Sequence, residues 1–225
     1  MSRLDVVIPY FEGERFIEGA LTSLANARGR TYLRVVVVDD GSSEASRTQL
    51  ERTLARCELP WILVTHDHNL GIGATRQRGL EEVETEVVGF LDQDDRWRPT
   101  LIDRLLGLMD EADHASGMIE MRLAEGALRP GWCRAEWLEH PLPGTVTGAG
   151  LFRTEVLHQL GGFSDAYRFG GDDVDLFARL RRAGAACREI DEVVLTRLVH
   201  DSNASGKADL QQDLLAGVRA HLGSR

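Results

Sequence analysis

Three carboxylates fall within four residues at Asp92-Gln93-Asp94-Asp95. Like charges this close repel one another, so a folded site needs something positive to hold them together. A hard divalent cation with oxygen ligands does this, and Mg²⁺ or Mn²⁺ commonly bridges protein carboxylates to substrate phosphates. The competing reading of an isolated Asp-x-Asp is a solvated acidic turn. Its place directly after the apolar run Val87-Val88-Gly89-Phe90-Leu91 favours a site.

Other groups with chemical potential follow the same placement. Asp39-Asp40-Gly41-Ser42 closes a second apolar run. Asp40 has the chemistry to accept a hydrogen bond from a base N–H or a ribose hydroxyl, and Gly41 permits a tight turn. Asp-Gly turns and Ser caps are also routine at strand-to-helix junctions, so both readings stand. Asn69 to Gly79 gives a glycine-rich entry to a helix carrying Arg76 and Arg78, cations suited to a diphosphate or plain surface arginines. Gly170-Gly171-Asp172-Asp173 turns sharply and sets carboxylates at a helix start, where the helix dipole favours the ionised form. Such a carboxylate beside a bound hydroxyl is a general base, or a plain N-cap. His200 follows the last apolar run, whereas Thr65-His66-Asp67-His68 precedes a loop and is expected to face solvent.

The elements that must position these groups alternate. Leu4 to Ile8, Leu33 to Val38, Pro60 to Val64 and Val87 to Leu91 are short, nearly continuous apolar runs, as central parallel strands are. Between them Phe16, Ile17, Ala20, Leu21 and Leu24 recur at helical spacing, as do Leu50 and Leu54, with Ser42 or Ser43 as an N-cap. Strand and helix in alternation imply right-handed crossovers and a doubly wound α/β sheet, whose ligand sits at the carboxyl ends of the strands. Further helices are expected over 101–109, 154–160, 173–182 and 210–222, and strands over 116–123 and 193–199. The stretch 127–143, with Trp132 and Trp137, reads as loop-rich. Together with Phe152 these aromatics are a candidate acceptor surface, or core.

Composition narrows the class. With 225 residues, 43% hydrophobic and 28% charged, the chain is long enough for one large domain with a real core. A net charge of −10 argues against a nucleic-acid surface. No run of about 18 apolar residues suggests a membrane span, and no signal peptide pattern is apparent. Three scattered cysteines, Cys57, Cys133 and Cys187, form neither a zinc pattern nor a disulfide framework; free buried thiols in a reducing cytoplasm are the expectation.

Taken in order, these segments resemble the GT-A glycosyltransferases, specifically the inverting family 2. Val6 to Ile17 resembles the opening strand and turn, Asp39 to Ser42 the nucleotide-binding Asp-Asp-Gly-Ser, and Asn69 to Gly79 the Asn-x-Gly segment with its arginine. Asp92 to Asp95 resembles the Asp-x-Asp metal motif, Gly170 to Asp173 the Gly-Gly-Glu-Asp motif, and His200 a late histidine. The resemblance implies a Rossmann-like, mostly parallel sheet flanked by helices within a single 1–225 domain. About 1–98 would bind the nucleotide sugar, and about 99–225 would bind the acceptor and carry catalysis.

The resemblance also implies roles. Pro9, Phe11, Glu12 and Asp40 would line the nucleoside pocket, Arg76 would face the base or diphosphate, and Asp92 the ribose or metal. Asp94 and His200 would hold Mn²⁺ or Mg²⁺. Asp173 would be the base. Glu12 stands where the family usually has Asn, Gln77 where Asn is frequent, and Asp172 where Glu is usual, which leaves Asp172 as the second candidate for the base. The implied donor is a nucleotide-diphosphate sugar, UDP-sugar favoured, and the acceptor a saccharide, a lipid-linked molecule or a small molecule. A cytoplasmic location, with peripheral membrane association allowed, follows from the same reading. The alternatives are a nucleotidyltransferase, a non-catalytic nucleotide-sugar-binding module and a retaining GT-A enzyme.

Overall fold

A computed structural model describes residues 3–99 and 101–203 of the chain. The expected helix over 210–222 lies outside the described residues. The first four strands are β1 (Arg3–Tyr10), β2 (Tyr32–Asp39), β3 (Trp61–Thr65) and β4 (Val87–Phe90), and between them lie α1 (Ile17–Ala27), α2 (Glu44–Leu54) and α3 (Ile72–Glu81). There follow β5 (Arg96–Trp97), α4 (Leu101–Leu106), β6 (His114–Leu123), β7 (Leu142–Pro143), β8 (Gly150–Arg153), α5 (Thr154–Gln159), α6 (Asp172–Ala183) and β9 (Cys187–Val199). The sheet runs β3-β2-β1-β4-β8-β6-β9-β5, with β7 on β6.

The N-terminal half of this α/β sheet is all parallel: β1 pairs in parallel with both β2 and β4, and β2 with β3. Its β-branched runs suit strands covered on both faces, and alternation within each strand divides the core. Leu4, Val6 and Ile8 pack with Leu21 and Leu24 of α1 and Leu50 and Leu54 of α2. Val7, Val36 and Val38 face the other way, onto Leu80 of α3 and Leu176 and Leu180 of α6. Gly79 permits α3 to lie close on the sheet, since a Cβ there would collide with Val7.

β1 is flanked by β2 on one side and β4 on the other, so the chain crosses over in opposite directions at the β1–β4 boundary. In an open α/β sheet this reversal opens a crevice at the carboxyl ends. Tyr10, Asp39 and Phe90 end their strands there.

The C-terminal half is mixed. β8 is antiparallel to β4 and β6, whereas β9 is parallel to β6 and antiparallel to β5. β9 is longer than the expected 193–199, because pairing with β6 begins at His114↔Cys187 and continues across an irregularity beside Gly117. α4 stops at Leu106, earlier than expected, with Gly107 following. The cysteines correct another expectation: Cys133 is buried, but Cys57 is half-buried and Cys187 exposed. No described helix is long and apolar enough to cross a membrane.

Candidate active site

At the end of β2 the chain turns through Gly41 at φ +72°, against His68 and Asn69, where no side chain fits. Both aspartates before it point into protein. Asp39 accepts from the Ser42 N–H at 3.1 Å and from Arg47 Nε at 2.7 Å. Asp40 accepts from the main-chain N–H groups of Leu70 and Gly71 at 2.8 and 2.9 Å, and lies 2.9 Å from His66 Nδ1. His66 therefore does not face solvent as its sequence context suggested; Asp40 draws it inward. Ser43 caps α2 through the Ser46 N–H, and Glu12 lies across the same helix end, accepting from the Ser43 N–H at 2.5 Å. Glu12 adopts φ +45°, the one described non-glycine residue with positive φ. Pro9 is buried within β1, while the Phe11 ring beyond it is 44% exposed at the mouth of the crevice. Gln93 fixes that ring's backbone, accepting from the Phe11 N–H at 3.0 Å and donating to its carbonyl at 3.1 Å.

Arg76 is the hub of the site. The turn at Gly71 (φ +98°) starts α3 against Arg168, and the helix then places Arg76 one turn in, 3% exposed. Its Nη2 donates to Asp92 Oδ1 and its Nη1 to Asp172 Oδ2, each at 2.5 Å; Asp173 Oδ1 lies 3.6 Å from Nη1. A surface arginine is thus ruled out, and in this structure the guanidinium faces three carboxylates. Arg78, two residues on, pairs with Glu82 at 2.6 Å. Burial alone would lower the pKa of Arg76, but Asp172, Asp92 and Asp173 together hold it well above the ordinary value. One guanidinium does not neutralise three acids. Burial, only partly offset by Arg76 and aggravated by Asp173, pushes Asp172 up to about 6.

The Gly170-Gly171 pair, at φ +132° and +94°, makes the turn into α6. The N-cap is Gly171, which lacks a side chain, so neither aspartate is the plain cap. Both sit in the first helical turn, with opposite surroundings. Asp172 has 1% of its side chain exposed and Asp173 21%. Asp173 accepts from the Thr147 N–H at 3.0 Å through Oδ1, the same oxygen that lies 3.6 Å from Arg76 Nη1.

The acid cluster meets the end of β9 because β5, immediately after it, pairs with β9 at Arg96↔Thr196 and Trp97↔Leu195. That pairing carries residues 197–203 alongside the aspartates. Asp94 Oδ2 lies 2.9 Å from His200 Nε2, and the buried Asp95 accepts from the Leu198 N–H at 3.2 Å. Burial, with Asp94 adding to it, raises the Asp95 pKa well above the carboxylate range. Arg197 answers this charge: burial lowers its pKa, but Asp95, Asp92, Asp94 and Asp173 outweigh that and raise it. The cluster's need for positive charge, which pointed to a cation in the sequence, is thus met in part by Arg76 and Arg197. Arg197, Thr147, Ser202 and Asn203 carry no motif, and only the β5–β9 pairing and the α6 contact reveal them. The Trp132, Trp137 and Phe152 surface divides as well: Phe152 is fully buried in the core, whereas Trp132 and Trp137 are partly buried beside Cys133.

Among the described residues no three His, Cys, Asp or Glu side chains converge as a ready-made cation cage. The pair Asp94 and His200 nonetheless fits a divalent ion. Their 2.9 Å separation suits adjacent ligands of an octahedral ion with bonds of about 2.0–2.1 Å. Carboxylate and imidazole suit Mn²⁺, and Mg²⁺-type ions are commonly held by one or two protein groups with phosphates and water completing the shell.

Comparison with known proteins supplies the family and the fold. Residues 5–161 match the model of glycosyl transferase family 2. The chain is 32% identical over 199 residues to the pre-mycofactocin glycosyltransferase of Mycobacterium tuberculosis, covering 81% of this chain and 40% of that protein. It is 24% identical over 234 residues to the O-antigen biosynthesis protein RfbC of Myxococcus xanthus, covering 92% of this chain and 18% of that one. In fold it is similar to S. aureus TarS residues 1–349 in complex with UDP-GlcNAc, with a TM-score of 0.70 and 19% identity over 97% of this chain and 66% of that one. The chain belongs to glycosyl transferase family 2 and has the GT-A fold.

Proposed function

We propose that this family 2 member transfers a sugar from a nucleotide-diphosphate donor, UDP-sugar favoured, to an acceptor hydroxyl by a single displacement with inversion. The observation that carries the reading is the division of the aspartates by Arg76. Its guanidinium joins Asp92 on the donor side to Asp172 on α6, and of the two aspartates that open α6 this leaves Asp173 the accessible one, 21% exposed against 1%. The family membership and the UDP-GlcNAc in the TarS complex support the nucleotide-sugar donor.

The exposed Phe11 ring at the carboxyl end of β1 offers a stacking face for the nucleobase. Asp173 accepts the proton of the acceptor hydroxyl as that oxygen bonds to the anomeric carbon. The bond from that carbon to the diphosphate breaks on the opposite face, and its electron pair leaves with the nucleotide. Thr147 holds one oxygen of Asp173 through its N–H, orienting the other. Asp94 and His200 would hold Mn²⁺ or Mg²⁺, whose charge offsets that developing on the leaving diphosphate.

A cation-independent form of the same transfer is favoured by one observation, the positive charge that Arg76 and Arg197 already bring to the cluster. Thermal shift with UDP, GDP, dTDP and CMP sugars, each with and without Mn²⁺, separates the two. The metal-dependent reading expects stabilisation by a UDP-sugar that needs Mn²⁺ and is lost in Asp94→Ala. Unchanged stabilisation in D94A would refute the role of Asp94, and stabilisation indifferent to Mn²⁺ would favour the cation-independent form.

A further inference from the structure

We infer that Asn203 is a positioning residue that sets Asp94 and His200 against each other, an inference that rests on the metal-dependent reading above. Asn203 is 5% exposed and reaches both partners at once. Its Oδ1 accepts from the His200 N–H at 2.7 Å, while its Nδ2 lies 3.1 Å from Asp94 Oδ2, 3.1 Å from the Leu198 carbonyl and 3.0 Å from His200 Nε2. An amide carries one acceptor and two N–H donors at the same end of a short stem. No other side chain of this length closes the His200 turn and also donates toward Asp94. Aspartate lacks the donor and alanine lacks both functions.

The imidazole is held on its remaining sides. Phe16 stacks on it with centroids 4.3 Å apart and planes 23° from parallel, which restrains the ring's rotation. Ser202 Oγ lies 2.8 Å from Nδ1. A hydroxyl either donates or accepts, so His200 keeps this bond with its proton on either nitrogen. With the proton on Nδ1, the Nε2 lone pair is directed to the side of Asp94, and Asn203 retains Leu198 and Asp94 as acceptors. Ligand spacing is then set by Asn203 and ring plane by Phe16, while Ser202 holds Nδ1 in either tautomer. Partners of this kind around metal ligands typically contribute about 10–100-fold to metal affinity.

The test titrates Mn²⁺ at fixed saturating UDP and reads the unfolding temperature. Asn203→Ala is expected to raise the Mn²⁺ midpoint about 10–100-fold and to regain the wild-type plateau at saturating Mn²⁺. In a His200→Ala background the added N203A is expected to move the midpoint by no more than about twofold, because the two residues act as a unit. Should N203A fold poorly, Asn203→Ser, which keeps an acceptor for the His200 N–H, is expected to show the same shift. A wild-type midpoint in these variants overturns the inference, and so does a shift that multiplies fully with H200A. Wild-type protein with no response to Mn²⁺ overturns the metal reading first and the inference with it, an outcome distinct from the other two.

Discussion

Asp39 and Asp40 close β2, and Asp172 and Asp173 open α6; each pair sits beside a glycine turn, yet their surroundings differ. The β2 pair is held almost wholly by nearby groups: main-chain N–H groups of residues 42, 70 and 71, with Arg47 and His66 completing the set. It shapes the loop that enters α3. The α6 pair is divided, one carboxylate sealed against Arg76 and its neighbour left half-open. Adjacent residues on a helix start point roughly 100° apart, which is enough to send one inward and one to the cleft. A doubled aspartate therefore has no fixed meaning. Where both members meet backbone donors they build scaffold, and where a buried cation seals one, its neighbour stays partly exposed for chemistry.

The comparison is tested most sharply at Asp173. Asp173→Asn is expected to lower kcat about 10²–10⁴-fold while donor binding is retained, since the amide still accepts from Thr147. Steady-state rates with a UDP-binding titration check this, and near-normal turnover would move the base to Asp172. Next in size is Arg76→Met, which leaves Asp172 buried without its partner. A loss of about 3–5 kcal/mol is expected in urea unfolding, and a loss below about 1 kcal/mol would deny Arg76 its place as hub. Asp40→Ala is expected to cost about 1–3 kcal/mol by stranding the Gly71 N–H; a neutral result would show that the loop shapes itself.

The smallest effect is a dependence on pH. The Asp172 pKa of about 6 in the folded chain lies above the unfolded value near 3.9, so the native state binds this proton more tightly. The associated stability is fully present below about pH 4 and is lost as pH rises through 6. Unfolding free energies measured from pH 4 to 6.5 are expected to fall less steeply in Asp172→Asn than in wild type. Equal slopes would assign the proton elsewhere.

Much of the N-terminal half was legible from local pattern. The β-branched runs, the helical spacing of Ile17 to Leu24 and the turns at Gly41 and Gly71 mark elements stabilised by neighbours in sequence, so a short window contains their cause. Legibility failed where partners are remote. His66 looked solvent-facing because Asp40 lies 26 residues away. Phe152 looked available as a sugar platform because nothing beside it in sequence shows that β8 is central. The helix start at Asp172 was visible, but not which of its two carboxylates would be sealed.

By itself the sequence determined the alternation of strands and helices through β4, and it determined that aspartates and glycines fall at their junctions. Period-two and period-3.6 burial and glycine's access to positive φ act within a few residues. Only the tertiary structure decided how those charges are shared. Arg76 meets Asp172 across 96 residues and Asp94 meets His200 across 106, through crossovers and the β5–β9 pairing. The acid cluster, read from sequence as calling for a metal, has its charge met in part by two arginines, with Asp94 and His200 2.9 Å apart beside them. Electrostatic energy depends on distance in space and on burial, and neither is written in the spacing of a motif.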